Sequence, residues 1–98
     1  MPAEIDITNA EHVRDQLAAA LTPGTTTIIA DLTPTTFCDT AGLQAMILAH
    51  RHAAAAGAAL RLAIPEGHVA RVFTIAGLDR YLAIYPTLTA ACAAQPPP

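Results

Sequence analysis

Thr36-Phe37-Cys38-Asp39-Thr40-Ala41-Gly42-Leu43 stands where a strand gives way to a long helix. Just upstream, Thr26-Thr27-Ile28-Ile29-Ala30-Asp31-Leu32 is β-branched and apolar, the make-up of a buried strand. Just downstream, Leu43 to Ala56 is almost continuously apolar or alanine and contains no residue that breaks a helix. Asp39 and Thr40 sit at the boundary, and both side chains suit an N-cap. Thr40 also offers a free hydroxyl.

The flanking chain reads in the same alternation. Ile5 and Ile7 alternate like the end of a strand, and Thr8-Asn9-Ala10-Glu11 has the form of a capping box, with Thr8 at the cap. Ala10, Val13, Leu17, Ala20 and Leu21 follow at helical spacing and predict one buried face, ended by Pro23-Gly24. Thr25 to Asp31 is the central strand. The second helix is expected from Thr40 to Ala56, with Leu43, Ile47, His50 and Ala54 on its inward stripe and Met46 beside it. Gly57 is its C-terminal stop, and Phe37 is expected to plug the core beneath its start. Leu60, Leu62 and Ile64 point one way along the next strand. A third helix spans Glu66 to Ala76, closed by Gly77 with Leu78 as an apolar anchor. Leu82 to Tyr85 forms a short last strand, and Thr87 caps a last helix through Cys92. Strands alternating with helices predict an α/β fold in one domain, residues 1–94, followed by a disordered tail, residues 95–98.

Composition narrows the function classes. The 98 residues hold one modest core, and 53% of them are hydrophobic, largely through alanine. Apolar runs are interrupted by His50, Arg51, His52 and Gly57, short of the roughly 18 to 20 residues a membrane span requires. No basic, apolar-cored leader opens the chain, so a cytoplasmic location is expected. Net charge is −3, and the five cations, all arginines, are dispersed, which argues against a nucleic-acid footprint. Serine and lysine are absent, which excludes a serine triad, a Schiff-base lysine and a phosphate-loop lysine. His50 and His52 lie two apart and face different sides of a helix, a poor metal pair, so neither metal nor cofactor is expected. Cys38 and Cys92 are expected as reduced, mostly buried thiols. With no nucleophile–base pair, the chain is not read as an enzyme.

Several of these stretches, in this order, resemble one family. Glu4-Ile5-Asp6-Ile7, the Ile-Ile-Ala-Asp-Leu strand, Phe37 to Leu43, and Thr74-Ile75-Ala76-Gly77-Leu78 are arranged as in STAS domains, the bacterial anti-sigma factor antagonists and their relatives. The resemblance covers nearly the whole chain. It implies a single STAS-like domain, with a mixed sheet of about four strands and helices mainly on one face. It also implies that Thr40, directly after Asp39, is a phosphoacceptor, with Asp39, Ala41, Gly42 and Leu43 at the partner contact. The unphosphorylated protein would bind an anti-sigma factor with kinase activity and so free a sigma factor. Phosphorylation would end that binding, and a phosphatase would restore it.

Two departures matter. The chain begins at what resembles the end of the family's second strand, which predicts an exposed N-terminal sheet edge and a homodimer formed through it. Thr40 and Ala41 stand where the best-known antagonists carry two serines, leaving one acceptor. Beside the switch stands a plainer reading, in which Asp39-Thr40 is only a helix cap. The chain would then be a STAS scaffold subunit of a stress-signalling or lipid-transport complex, acting by constitutive protein binding.

Overall fold

A computed structural model describes residues 1–94; the expected tail at residues 95–98 lies outside the described residues. In chain order the elements are β1 (Glu4–Ile5), α1 (Ala10–Ala19), β2 (Thr27–Asp31), β3 (Phe37–Cys38), α2 (Thr40–Ala55), β4 (Ala59–Ala63), α3 (His68–Ile75), β5 (Ala83–Tyr85) and α4 (Leu88–Ala93). A 3₁₀ turn at Leu78–Arg80 follows α3. The expected single α/β domain is therefore formed. Five short strands make two small sheets, β1–β3 and β2–β4–β5, and every pairing is parallel. The amine of Met1 donates to the Asp31 carbonyl at 3.0 Å, tying the two sheets together at the end of β2.

The core follows from alternation in the strands. Ile28 and Ala30 on β2 pair with Leu60 and Leu62 on β4, and all four are buried. Against them lie Val13 and Leu17 of α1 with Met46, Ala49 and Ala53 of α2. Arg61, between Leu60 and Leu62, points to the other face, where its guanidinium donates to the Ala91 carbonyl of α4 at 3.1 Å. A charged side chain in a strand is thus accommodated by a helix carbonyl, and α4 covers that face.

Several local expectations are met. Thr87 caps α4, its hydroxyl accepting the Ala90 N–H at 3.0 Å. Gly57 takes φ +77° past the end of α2, where the Ala58 N–H reaches back to the Ala53 carbonyl at 2.9 Å. A left-handed residue of this kind closes a helix, and only glycine adopts it without a Cβ clash.

Other expectations are corrected. The capping box does not form: Asn9 is the N-cap of α1 and its side chain makes no cap bond. Asp6 organises this turn instead, its carboxylate accepting from the Thr8 N–H and hydroxyl and its carbonyl from the Asn9 and Ala10 N–H groups. Phe37 is 43% exposed rather than a core plug, because the strand parity that buries Cys38 turns Phe37 outward. The inward stripe of α2 is Gly42, Ala45, Met46, Ala49 and Ala53, not Leu43, Ile47, His50 and Ala54. Small residues win the inner face because α2 packs closely on α1 and β4. α3 begins at His68, after Gly67, rather than at Glu66. Both cysteines are free, but Cys92 is exposed.

Candidate functional site

The site is assembled where β3 turns into α2. Asp39 has extended backbone, φ −96° and ψ −174°, and is the N-cap of α2. Its Oδ1 accepts the Gly42 N–H at 3.0 Å, and its own N–H donates to the Ile5 carbonyl at 3.1 Å. One side chain therefore both caps the helix and, through its backbone, fixes the helix start to β1. Thr40 is the first helical residue and is exposed. Among the described residues its hydroxyl has no hydrogen-bond partner.

Gly42 is buried directly beneath this turn. A Cβ there would lie 2.5 Å from the Cys38 Sγ, 2.9 Å from Ile5 Cγ2 and 3.0 Å from the Ile5 carbonyl oxygen. These distances are shorter than van der Waals contact, so glycine is what lets α2 start flush against β1 and β3. Burial first, and the Asp39 charge second, push the Cys38 thiol up to about 11. Such a thiol is a packing group at neutral pH rather than a reactive one.

Thr40 stands at the positive end of the α2 dipole, beside the Asp39 carboxylate. The first turn of α2 carries no acidic side chain. Asp39 takes the Gly42 N–H, which leaves the N–H groups of Thr40 and Ala41 free of intrahelical partners at the positive end of the helix dipole.

Of the residues singled out from sequence, Asp39, Thr40, Ala41, Gly42 and Leu43 all fall on this one turn. Thr40 is exposed, Asp39, Ala41 and Leu43 are half-buried, and Gly42 is enclosed. A groove of about 220 Å³ runs from Ala41 between α1 and α2, walled by Ile7, Glu11, Arg14, Gln44 and Leu48. Ile7, 81% exposed, was missed as a surface residue. Alternation with Ile5 suggested a continuing strand, but the Asp6 turn ends β1 and swings Ile7 out. Among the described residues no cluster of three or more His, Cys, Asp or Glu is arranged to hold a metal ion, and no helix is long and apolar enough to cross a membrane.

The sequence model of the STAS domain family matches residues 1–91. The chain belongs to the STAS family. Solved STAS-like structures agree with that fold. A Thermotoga maritima protein, proposed in its own description to be an anti-sigma factor antagonist, superposes in its crystal form with a TM-score of 0.80 at 24% identity, over 94% of this chain and 80% of its own. Its solution structure gives 0.78 at 24% identity, over 94% and 74%. SpoIIAA, an anti-sigma factor antagonist solved in its unphosphorylated form, gives 0.64 at 21% identity, over 91% and 77%. No curated protein matches the sequence. Within the STAS fold of this chain, the Asp39–Thr40 turn is an exposed helix start, held rigidly from below.

Proposed function

We propose that this STAS domain is an anti-sigma factor antagonist switched at Thr40. Unphosphorylated, it binds an anti-sigma factor that is also a serine/threonine kinase, and a sigma factor is released. The partner, supplying ATP and magnesium, phosphorylates Thr40 and ends the complex; a phosphatase reverses the mark. The chain itself performs no catalysis and acts in the cytoplasm. The observation that carries this reading is the exposed, unpartnered hydroxyl of Thr40 at a helix start whose geometry does not depend on it. Asp39, Ala41 and Leu43 line the contact, and Gly42 serves it by holding the turn down.

The energetics separate fold from binding. A phosphate on Thr40 gains on the order of 0.3 to 1 kcal/mol at a helix N-terminus, so the domain stays folded. In a closed interface the same two negative charges beside Asp39 cost several kcal/mol if unpaired, and every ~1.4 kcal/mol is tenfold in affinity. Loss of binding without unfolding is the result. Self-association through the N-terminal side of the sheet is also proposed, as a property separate from the switch.

The experiment is affinity capture from native extract with Thr40→Ala and Thr40→Glu baits, followed by incubation of the captured kinase with wild-type protein and ATP. The Ala bait should retain a kinase-type anti-sigma factor that phosphorylates wild type at Thr40, and the Glu bait should not. If both baits retain the same proteins and no phosphothreonine forms, Thr40 is a cap at a constitutive interface, and the scaffold reading replaces the switch.

A further inference from the structure

The first two helices leave the sheet at the same end. β1 and β3 pair in parallel, and each leads into a helix, β1 through the Asp6 turn into α1 and β3 through Asp39 into α2. The starts of α1 and α2 therefore stand side by side, and the two helices pack on each other. The groove between them shows which turns are level. Ala10, Glu11 and Arg14 border it on α1, and Ala41, Gln44 and Leu48 on α2. Ala10 and Thr40 open their helices, so Arg14 lies one turn down α1 as Gln44 lies one turn down α2.

Arg14 is the cation of this groove. It is half-buried between it and a second groove of about 330 Å³, which it shares with Leu48 and His52. Glu11 lies three residues before it and Asp15 directly after it. Even so, among the described residues its guanidinium has no hydrogen-bond or ion-pair partner. Helical side chains lean toward the N-terminus of their helix and cover the turn before their own, which carries Arg14 toward the level of Ala41. An arginine side chain is longer than the ~5.4 Å pitch of a helix, so that turn is within its span. Thr40 stands at this upper end, directly before Ala41 and one turn above Gln44 on the same stripe.

We propose that Arg14 is the intramolecular partner of a phosphate on Thr40, its guanidinium moving up the groove past Ala41 to pair with the phosphate oxygens. Charge selects this pairing. A phosphothreonine carries about −1.5 to −2 charges near neutral pH and three acceptor oxygens, and a guanidinium meets two of them at once. The other charged side chains at this end, Asp39 and Glu11, are acids and repel the phosphate. His52 lies about three turns below Thr40, at the far end of the second groove. Glu11 competes for the guanidinium with one charge against the larger charge of the phosphate. This pairing rests on the reading of Thr40 as the acceptor and adds a consequence to it. In the phosphorylated chain the paired guanidinium lies over Ala41, so the contact is covered as well as charged.

The test installs the phosphate without a kinase. The full 98-residue chain is assembled chemically with phosphothreonine at Thr40, as wild type, Arg14→Gln, Arg14→Lys and Glu11→Gln, and followed by phosphorus and nitrogen NMR. The second ionisation of the phosphate, at about pH 6 in a free phosphothreonine, should shift to lower pH in wild type than in Arg14→Gln. Arg14→Lys should recover part of that shift, and Glu11→Gln should extend it. In wild type the Arg14 Nε–H signal should move and exchange more slowly once Thr40 is phosphorylated, a readout that requires no variant to fold. Equal phosphate ionisation in wild type and Arg14→Gln overturns the proposal, as does an Arg14 Nε–H signal that phosphorylation leaves unchanged. Because no kinase takes part, failure of the Thr40 switch appears only in the capture experiment, and failure of the Arg14 pairing only here.

Discussion

Asp39 holds the Gly42 N–H at 3.0 Å across the first turn of α2, and Thr40 stands exposed between them with its hydroxyl unengaged. Cap, close-packed glycine and free hydroxyl thus fall within four successive residues, Asp39 to Gly42. Each can be removed without the others.

Thr40→Glu should leave the thermal midpoint nearly unchanged, with a stability change below about 1 kcal/mol and on the favourable side, because an acidic group at a helix start is stabilising. Circular dichroism melts of wild type, Thr40→Ala and Thr40→Glu decide it. A Glu variant that melts far below wild type contradicts the separation of fold and switch.

Asp39→Ala should cost about 1 kcal/mol through the lost cap, whereas Asp39→Asn should cost little, since both side chains accept the same bond. Denaturant titration of the pair measures the cap alone. Partner affinity compared between wild type and Asp39→Asn then reports what the charge contributes at the contact.

Gly42→Ala should destabilise by about 1 to 3 kcal/mol despite the better helix propensity of alanine, because its Cβ meets Sγ of Cys38 and the backbone oxygen of Ile5. Removing the sulfur should relieve part of that clash. The double variant with Cys38→Ala is therefore expected to be more stable than the sum of the single costs allows. Strict additivity in a double-mutant cycle would place the strain elsewhere.

The raised Cys38 thiol links stability to alkaline pH. Its folded value, about 11, lies above the ordinary thiol range near 8.5, so the folded state favours the neutral form. The associated stability is fully present below about pH 8.5 and is lost as pH rises toward 11. Unfolding titrations from pH 7 to 11 should therefore fall more steeply for wild type than for Cys38→Ala. In the native protein a thiol reagent should modify the exposed Cys92 quickly and Cys38 only after opening.

Asp6 and Asp31 act at the acid end. Side-chain and backbone donors from Thr8 hold the Asp6 carboxyl below the usual range, and those from Thr33 do the same for Asp31. Their contribution is present above the unfolded value, near 3.9, and is lost as pH falls through the lower folded values. Thr8→Ala and Thr33→Ala should therefore be less stable than wild type near neutral pH and lose less stability than wild type as the pH falls through this range.

The sequence alone determined the alternation of strands and helices, a cap at Asp39 or Thr40, the cap at Thr87, the stop at Gly57 and the gathering of the candidate site on one turn. These depend on neighbours within four residues, where side-chain chemistry and helical spacing act directly. Tertiary structure decided what depends on distant partners. Phe37 turns outward while Cys38 is buried as expected, because β1 pairs with β3 and sets which side faces the core. The inward stripe of α2 shifted to small residues because α1 and β4 approach closely, a distance no periodicity encodes. Asn9 left its expected helix to close the edge of β1, since a carboxamide bonds whichever backbone groups lie nearest in space.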